Sequence, residues 1–152
     1  MPTADQTLTL RCQFCQTWNR VDGTRAAHRP KCGQCARFLL LDRPWTLHAD
    51  SFERTVREST VPVLVDFYAD WCGPCKMMAP LVDQLAARVT GTALVAKLDT
   101  DRAQAIAGSL GIRGIPTIIV FREGREVARQ SGVLPLPALE QLLQQARQVV
   151  GP

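Results

Sequence analysis

The chain holds six cysteines, and all of them fall into Cys-x-x-Cys pairs: Cys12 with Cys15, Cys32 with Cys35, and Cys72 with Cys75. A thiolate is a nucleophile, a redox centre or a soft metal ligand. In a reducing compartment such pairs read as metal-binding or catalytic rather than as structural disulfides. The first two pairs are separated by sixteen residues, a spacing that suits two knuckles closing on one Zn²⁺. Four cysteine ligands complete a tetrahedral shell, which is the structural type of zinc site. Gly33 is expected at a tight turn, where it would leave N–H groups free to face the sulfurs. Two disulfides or a second redox dithiol are the other readings. His28 is the nearest alternative ligand and is set aside because four cysteines already suffice.

The third pair sits in a different context. Trp71-Cys72-Gly73-Pro74-Cys75-Lys76 follows an apolar run and opens a helical pattern. Cys72 therefore falls at a helix N-terminus, where unpaired N–H groups and the helix dipole favour an anion. Its thiolate should form readily, and the thiolate is the attacking species. Cys75 comes one turn later and further inside, placed to attack a mixed disulfide on Cys72. Pro74 suits the first helical turn. A metal knuckle or a fortuitous Cys-x-x-Cys are the alternatives, but one pair cannot close a four-ligand site.

The elements that must position these residues follow from periodicity. Asp50 and Glu53 predict a capping box for a short helix ending near residue 58. Residues 61–68 read as a nearly continuous apolar strand of the buried parallel kind. A helix over about 73–89 carries Met78, Leu81, Val82, Leu85 and Val89 on one stripe, with Pro80 inside it and Gly91 as its stop. Residues 92–98 give a second buried strand. Asp101 is expected to cap a helix carrying Ala103, Ile106, Ala107 and Leu110 and ending at Gly111. A hairpin over 116–121 and 126–130 turns at Gly124. A final helix over about 135–149 puts Leu136, Leu139, Leu143, Ala146 and Val150 on one face. The order of strands and helices predicts an α/β domain, with a mixed central sheet covered by helices on both faces. Residues 1–44 lack the branched apolar side chains for a core of their own and need a staple such as zinc. Residues 45–152 form the second unit.

The run from Asp66 to Lys76, together with Pro80, Lys97 and Gly114-Ile115-Pro116-Thr117, closely resembles the active site of the thioredoxin family. The likeness spans about residues 45–150. The four-cysteine extension resembles the zinc-containing bacterial class of that family, thioredoxin 2. One departure is Tyr68, where the family usually has Trp. The resemblance implies the thioredoxin fold behind a zinc-ribbon-like module, and protein-disulfide reduction at Cys72 and Cys75. It implies that Asp66 is a buried acid behind the disulfide, its pKa raised by burial and able to take the proton of Cys75. From pattern alone, Asp66 could instead point to solvent from a strand end. Lys97 resembles the lysine beside that acid, the alternative being a lysine that snorkels from a strand edge. Pro116 resembles the family's cis-proline. Trp71, Gly73, Pro74, Ile115, Pro116, Gly132 and Val133 would meet the substrate, with the Ile115 backbone pairing to an extended segment as in strand addition. The implied partners are disulfide-containing client proteins and an NADPH-dependent flavoprotein reductase. Zinc is the one expected cofactor.

Bulk properties narrow the field. The 152 residues allow one ordinary domain and a small appendage. No apolar run approaches the ~20 residues of a membrane span. The start, Met1-Pro2-Thr3-Ala4-Asp5, lacks the basic and apolar regions of a secretory signal, so a cytoplasmic address is expected. The net charge of +4 resides wholly in residues 1–45, which carry seven Lys or Arg against three Asp. Four thiolates around one Zn²⁺ reduce that excess to about +2. This is weak grounds for a nucleic-acid surface, and such a partner is not expected. The module reads as structural with modest tuning of the redox domain. A zinc-release redox sensor, or a client-docking or nucleic-acid ribbon, are the other readings. For the whole chain, the rivals to a reductase are a zinc-ribbon interaction module on an inert scaffold, and a disulfide oxidase or isomerase.

Overall fold

A computed structural model describes residues 6–148. Strands β1 (Thr7–Arg11) and β2 (Trp18–Asp22) form an antiparallel ribbon, followed by a short 3-10 helix, Gly23–His28. Then come β3 (Trp45–Leu47), α1 (Phe52–Glu58), β4 (Val63–Tyr68), α2 (Gly73–Arg88), β5 (Leu94–Asp99), α3 (Gln104–Ser109), β6 (Thr117–Arg122), β7 (Arg125–Ser131) and α4 (Leu136–Gln148). The second sheet runs β3-β5-β4-β6-β7. Its first three strands are parallel, and β6 and β7 join antiparallel. This is the mixed sheet expected from the order of elements.

Alternation along β4 divides the core. Val63, Val65 and Phe67 pack with Phe52 and Val56 of α1, whereas Leu64 faces Met78, Val82 and Leu85 of α2 and Leu139 and Leu143 of α4. Asp66, two residues beyond Leu64, therefore lies on the α2 side of the sheet. Glu123 (φ 49°) and Gly124 (φ 85°) turn the β6–β7 hairpin with two successive left-handed residues, which match strand twist. Val149 and Val150, expected on the last helix, lie outside the described residues.

The ribbon does not stand apart. Leu8 and Leu10 are fully buried and share one cluster with Trp45, Phe52 and Val56. Arg54 stacks over Trp18 at 4.5 Å. Gly23 and Gly91 meet backbone to backbone, and a side chain on Gly23 would collide with the Gly91 carbonyl oxygen. Gln6 donates to that same oxygen at 3.0 Å. We expect Gly23→Ala to lower stability by about 1–3 kcal/mol, read as a reduced denaturant midpoint with redox activity retained. An unchanged midpoint would mean that this contact does not hold the ribbon in place.

Two caps differ from expectation. The N-cap of α1 is Ser51, not Asp50, and it makes no side-chain cap bond. Asp50 Oδ1 instead accepts from Arg11 Nη2 at 2.8 Å, and Glu53 pairs with Arg57 at 2.9 Å. Charged partners outcompete single N–H groups for these carboxylates. Asp101 likewise leaves α3 without a side-chain cap, for a reason found in the redox site.

Candidate active site and candidate metal centre

Strand β4 delivers the chain into the turn 69–71, and α2 begins at once. Cys72 is the N-cap of α2 in extended conformation, with Pro74 in the first turn. The Cys72 sulfur accepts from the Cys75 N–H at 3.2 Å, an orphan helix donor that would favour the thiolate once the pair is reduced. Cys72 and Cys75 are joined as a disulfide, their Cα atoms 5.2 Å apart. The expectation that Cys75 lies deeper is not met in this state, because the two are 3% and 4% exposed. The disulfide draws both under Tyr68, Ala69 and Ile115, which pack against the pair.

The Ile115–Pro116 bond is cis, and the Ile115 carbonyl oxygen lies 3.8 Å from the Cys72 sulfur. Thr117 Oγ1 fixes this loop by donating to the Gly114 carbonyl at 2.5 Å, while the Gly132 N–H donates to the Pro116 carbonyl at 2.8 Å. Gly132, in left-handed conformation, is thereby held beside Pro116. Among the described residues the Ile115 N–H has no backbone partner, which leaves it free for an added strand. Trp71 (70% exposed) and Val133 (39%) stand out to solvent, and Gly73 and Pro74 are also exposed. Pro116 is buried and Ile115 half-buried.

Asp101 Oδ2 accepts from the Trp71 indole N–H at 2.9 Å, so it orients the exposed ring instead of capping α3. Met77, 67% exposed and one helical turn after Gly73, adds apolar surface on this side of α2. Neither role was foreseen. Met77 was legible as an apolar residue outside the buried stripe of its helix, but the partner of Asp101 is set only by the fold.

Asp66 is 4% exposed, and its Oδ1 has no hydrogen-bond partner among the described residues. Burial pushes its pKa from an ordinary 3.8 up to about 7, against the opposing pull of Lys97. Lys97 is its register partner on β5. A cavity of about 160 Å³ lies between them and the disulfide, lined by Asp66, Tyr68, Cys75, Ala79 and Lys97. That space admits water. The group can therefore exchange a proton near neutrality beside Cys75.

The other four cysteines converge. The sulfurs of Cys12, Cys15, Cys32 and Cys35 all lie within 4.8 Å of one another. Cys12 and Cys35 are 3.7 Å apart, and Cys15 and Cys32 are 3.5 Å apart. A tetrahedron with Zn–S bonds of about 2.3 Å has edges of about 3.8 Å, so the donor set fits that ion. The two knuckles are built alike. Gln16 N–H bonds the Cys12 carbonyl and Ala36 N–H bonds the Cys32 carbonyl, each at 3.0 Å. Their left-handed residues are Gln16 (φ 67°) and Ala36 (φ 64°), while Gly33 lies in the turn of the second knuckle, as expected. Gly33 gives its N–H to Asn19 Oδ1 at 2.9 Å. The sulfurs receive N–H groups from Phe14 and Gln34 and the Asn19 amide, each at 3.4 Å. Donors from the Cys35 N–H, Asn19 and Gln34 bring Cys32 down to about 6. His28 is exposed and lines a separate cleft.

Comparison with known proteins agrees with this geometry. The thioredoxin family model matches residues 43–145. Thioredoxin C-3 of Corynebacterium nephridii is 39% identical over 141 residues, covering 93% of this chain and 97% of that protein. Thioredoxin 1 of a Nostoc species is 45% identical over 94 residues, or 62% of this chain and 88% of its own length. A mutant thioredoxin from Halobacterium salinarum superposes with a TM-score of 0.65 at 37% identity, over 73% of this chain and 96% of that one. Among the described residues, no helix is long and apolar enough to cross a membrane.

Proposed function

The chain belongs to the thioredoxin family, whose members are protein-disulfide oxidoreductases, and from that premise we propose that it reduces disulfides in client proteins through Cys72 and Cys75. The observation that carries this reading is the Cys72 sulfur at the start of α2, under the Cys75 N–H and beside the Ile115 carbonyl. In the reduced protein the Cys72 thiolate attacks one client sulfur, and the client disulfide breaks. Cys75 then gives its proton to Asp66 and attacks the Cys72 sulfur. The second client thiolate leaves, and the pair is oxidised by two electrons. An NADPH-dependent flavoprotein reductase restores the dithiol.

Asp66 acts as the buried base, with Lys97 moderating its charge. Trp71, Gly73, Pro74, Ile115, Pro116, Gly132 and Val133 form the surface on which the client segment lies. A cytoplasmic location is consistent with this cycle, since a reductant needs a reducing pool. The test is turnover of insulin disulfides in the presence of NADPH and a thioredoxin reductase. We expect catalytic precipitation of insulin, and its absence would count against the reading.

Residues 1–44 form a structural zinc module and residues 45–152 the redox domain. Cys12, Cys15, Cys32 and Cys35 hold one Zn²⁺, a reading supported by their 3.5 and 3.7 Å separations. Zinc binding of this kind contributes roughly 10 kcal/mol or more to the order of its module. Stripping the metal with a mercurial and a chelator should release one zinc per chain and lower the thermal midpoint by several degrees, because Leu8 and Leu10 belong to the shared core. Insulin reduction should persist within a few-fold. Complete loss of activity on zinc removal would favour a regulatory module instead.

A further inference from the structure

The module built on the four cysteines carries five cations that make no direct ion pair among the described residues. Arg11 and Arg43 are paired, with Asp50 and Asp42. Arg20, Arg25, Arg29, Lys31 and Arg37 are all exposed, and among the described residues they make no ion pair and no side-chain hydrogen bond. Asp22 accepts from the Thr24 N–H and hydroxyl at 2.9 and 2.7 Å and feels the Arg25 charge without pairing with it directly. Three of these cations rest on exposed aromatic rings. Arg37 lies 4.5 Å over Phe14, Arg29 lies 4.3 Å over Phe38, and Lys31 lies 5.2 Å from the Phe38 centroid. Phe14 is 59% exposed and Phe38 38%, with Leu40 beside them at 39%. These three line a notch of about 130 Å³ with Pro44 and Trp45, where the module meets the edge of the five-stranded sheet.

We propose that this face docks a protein segment in which acidic residues flank one apolar anchor, the anchor entering the notch and the carboxylates meeting Arg29, Lys31 and Arg37. Stacked guanidiniums keep their N–H edges free for carboxylates, and such pairs are bidentate and directional. Arginine and aromatic residues around a small apolar pocket have the make-up of a protein-binding hot spot. A single-stranded nucleic acid fits less well. Its bases would compete with the cations that lie over both rings. Arg43, held by Asp42 at 3.0 Å, and Lys97 also line the notch. Apart from Lys97, none of the notch residues belongs to the redox face, so a docked partner would leave the Cys72–Cys75 pair open to disulfides.

The experiment selects random cysteine-free peptides of about twelve residues on the zinc-loaded full chain, then measures the winners by fluorescence anisotropy. The expected consensus is several Asp or Glu around a Leu, Ile, Met or Phe. Affinity should fall about tenfold or more in Phe14→Ser and in the double variant Arg29→Gln/Arg37→Gln, and should also fall as salt rises. Zinc content and insulin turnover, unchanged in both variants, establish that the fold is intact. Failure to enrich any peptide would overturn the proposal. So would a neutral or basic consensus, or peptide binding indifferent to both variants. An oligothymidylate that binds more tightly than the peptides and is lost in the same variants would overturn it in favour of a nucleic-acid surface.

Discussion

Cys72→Ser is expected to abolish insulin reduction, while Cys75→Ser accumulates covalent mixed disulfides with client proteins. The two cysteines share one disulfide, but their surroundings differ in kind. Cys72 is the N-cap, and its sulfur is the one that receives a helix-terminal N–H, from Cys75, at 3.2 Å. That donor and the dipole of a sixteen-residue helix act on the thiolate of Cys72. A serine hydroxyl in its place does not ionise near neutrality and forms no bond to client sulfur, so turnover should drop to background. The proposed cycle gives Cys75 the complementary role of release. Without its sulfur the first exchange still proceeds, and the product stays bound to Cys72. Non-reducing gels of Cys75→Ser extracts should show shifted bands that collapse with dithiothreitol. Residual turnover in Cys72→Ser, or trapping by Cys72→Ser rather than by Cys75→Ser, would reverse the assignment.

The second large effect concerns Asp66. Its pKa is about 7 in the folded protein against an ordinary 3.8. Below about pH 4 both states hold the proton, so this carboxyl adds no pH dependence there. Above that point the unfolded chain releases the proton while the folded protein keeps it, so stability declines steadily up to about pH 7 and then levels off. The gap of about three units corresponds to roughly 4 kcal/mol lost across that window. Asp66→Asn should remove most of this loss. The variant is expected to be about 2–4 kcal/mol more stable than the parent at pH 8 and similar to it at pH 4, as read from denaturant midpoints. Its turnover should fall about tenfold or more, since no base remains beside Cys75. It should also lose the rise in rate that accompanies ionisation near pH 7. Parallel stability–pH profiles for Asp66→Asn and the parent would show that this carboxyl does not titrate as its burial implies.

Much of this site was legible in linear order, because the residues that make it are local. Strand β4, the turn and the start of α2 are consecutive, so Asp66, Trp71, Cys72 and Cys75 are positioned by one strand–turn–helix passage. Apolar periodicity placed α2 and α4 to within a few residues, as backbone geometry sets those spacings directly. The helix caps were less legible. Asp50 and Asp101 have the right identity and position for capping, but each found a stronger partner that is distant in sequence, Arg11 and Trp71 respectively. Gly33 marked a turn, yet the left-handed positions of the knuckles are Gln16 and Ala36, where the hydrogen bonds to the Cys12 and Cys32 carbonyls require them.

The sequence by itself determined the chemistry on offer: three Cys-x-x-Cys pairs, the spacing that sets two of them apart as a candidate ligand set, and the helix start at which the third is expected to react. Only the tertiary structure decided how these parts bear on one another. It brought Ile115 and Pro116 against Cys72, set Lys97 in register with Asp66, and buried Leu8 and Leu10 in the core of the redox domain. It also gathered five cations without a direct ion pair and two exposed rings onto one module whose net charge had looked modest. The reason is physical: a residue's type fixes what it can donate, accept or release, but the sign and size of what it does depend on which distant groups the fold removes from water beside it.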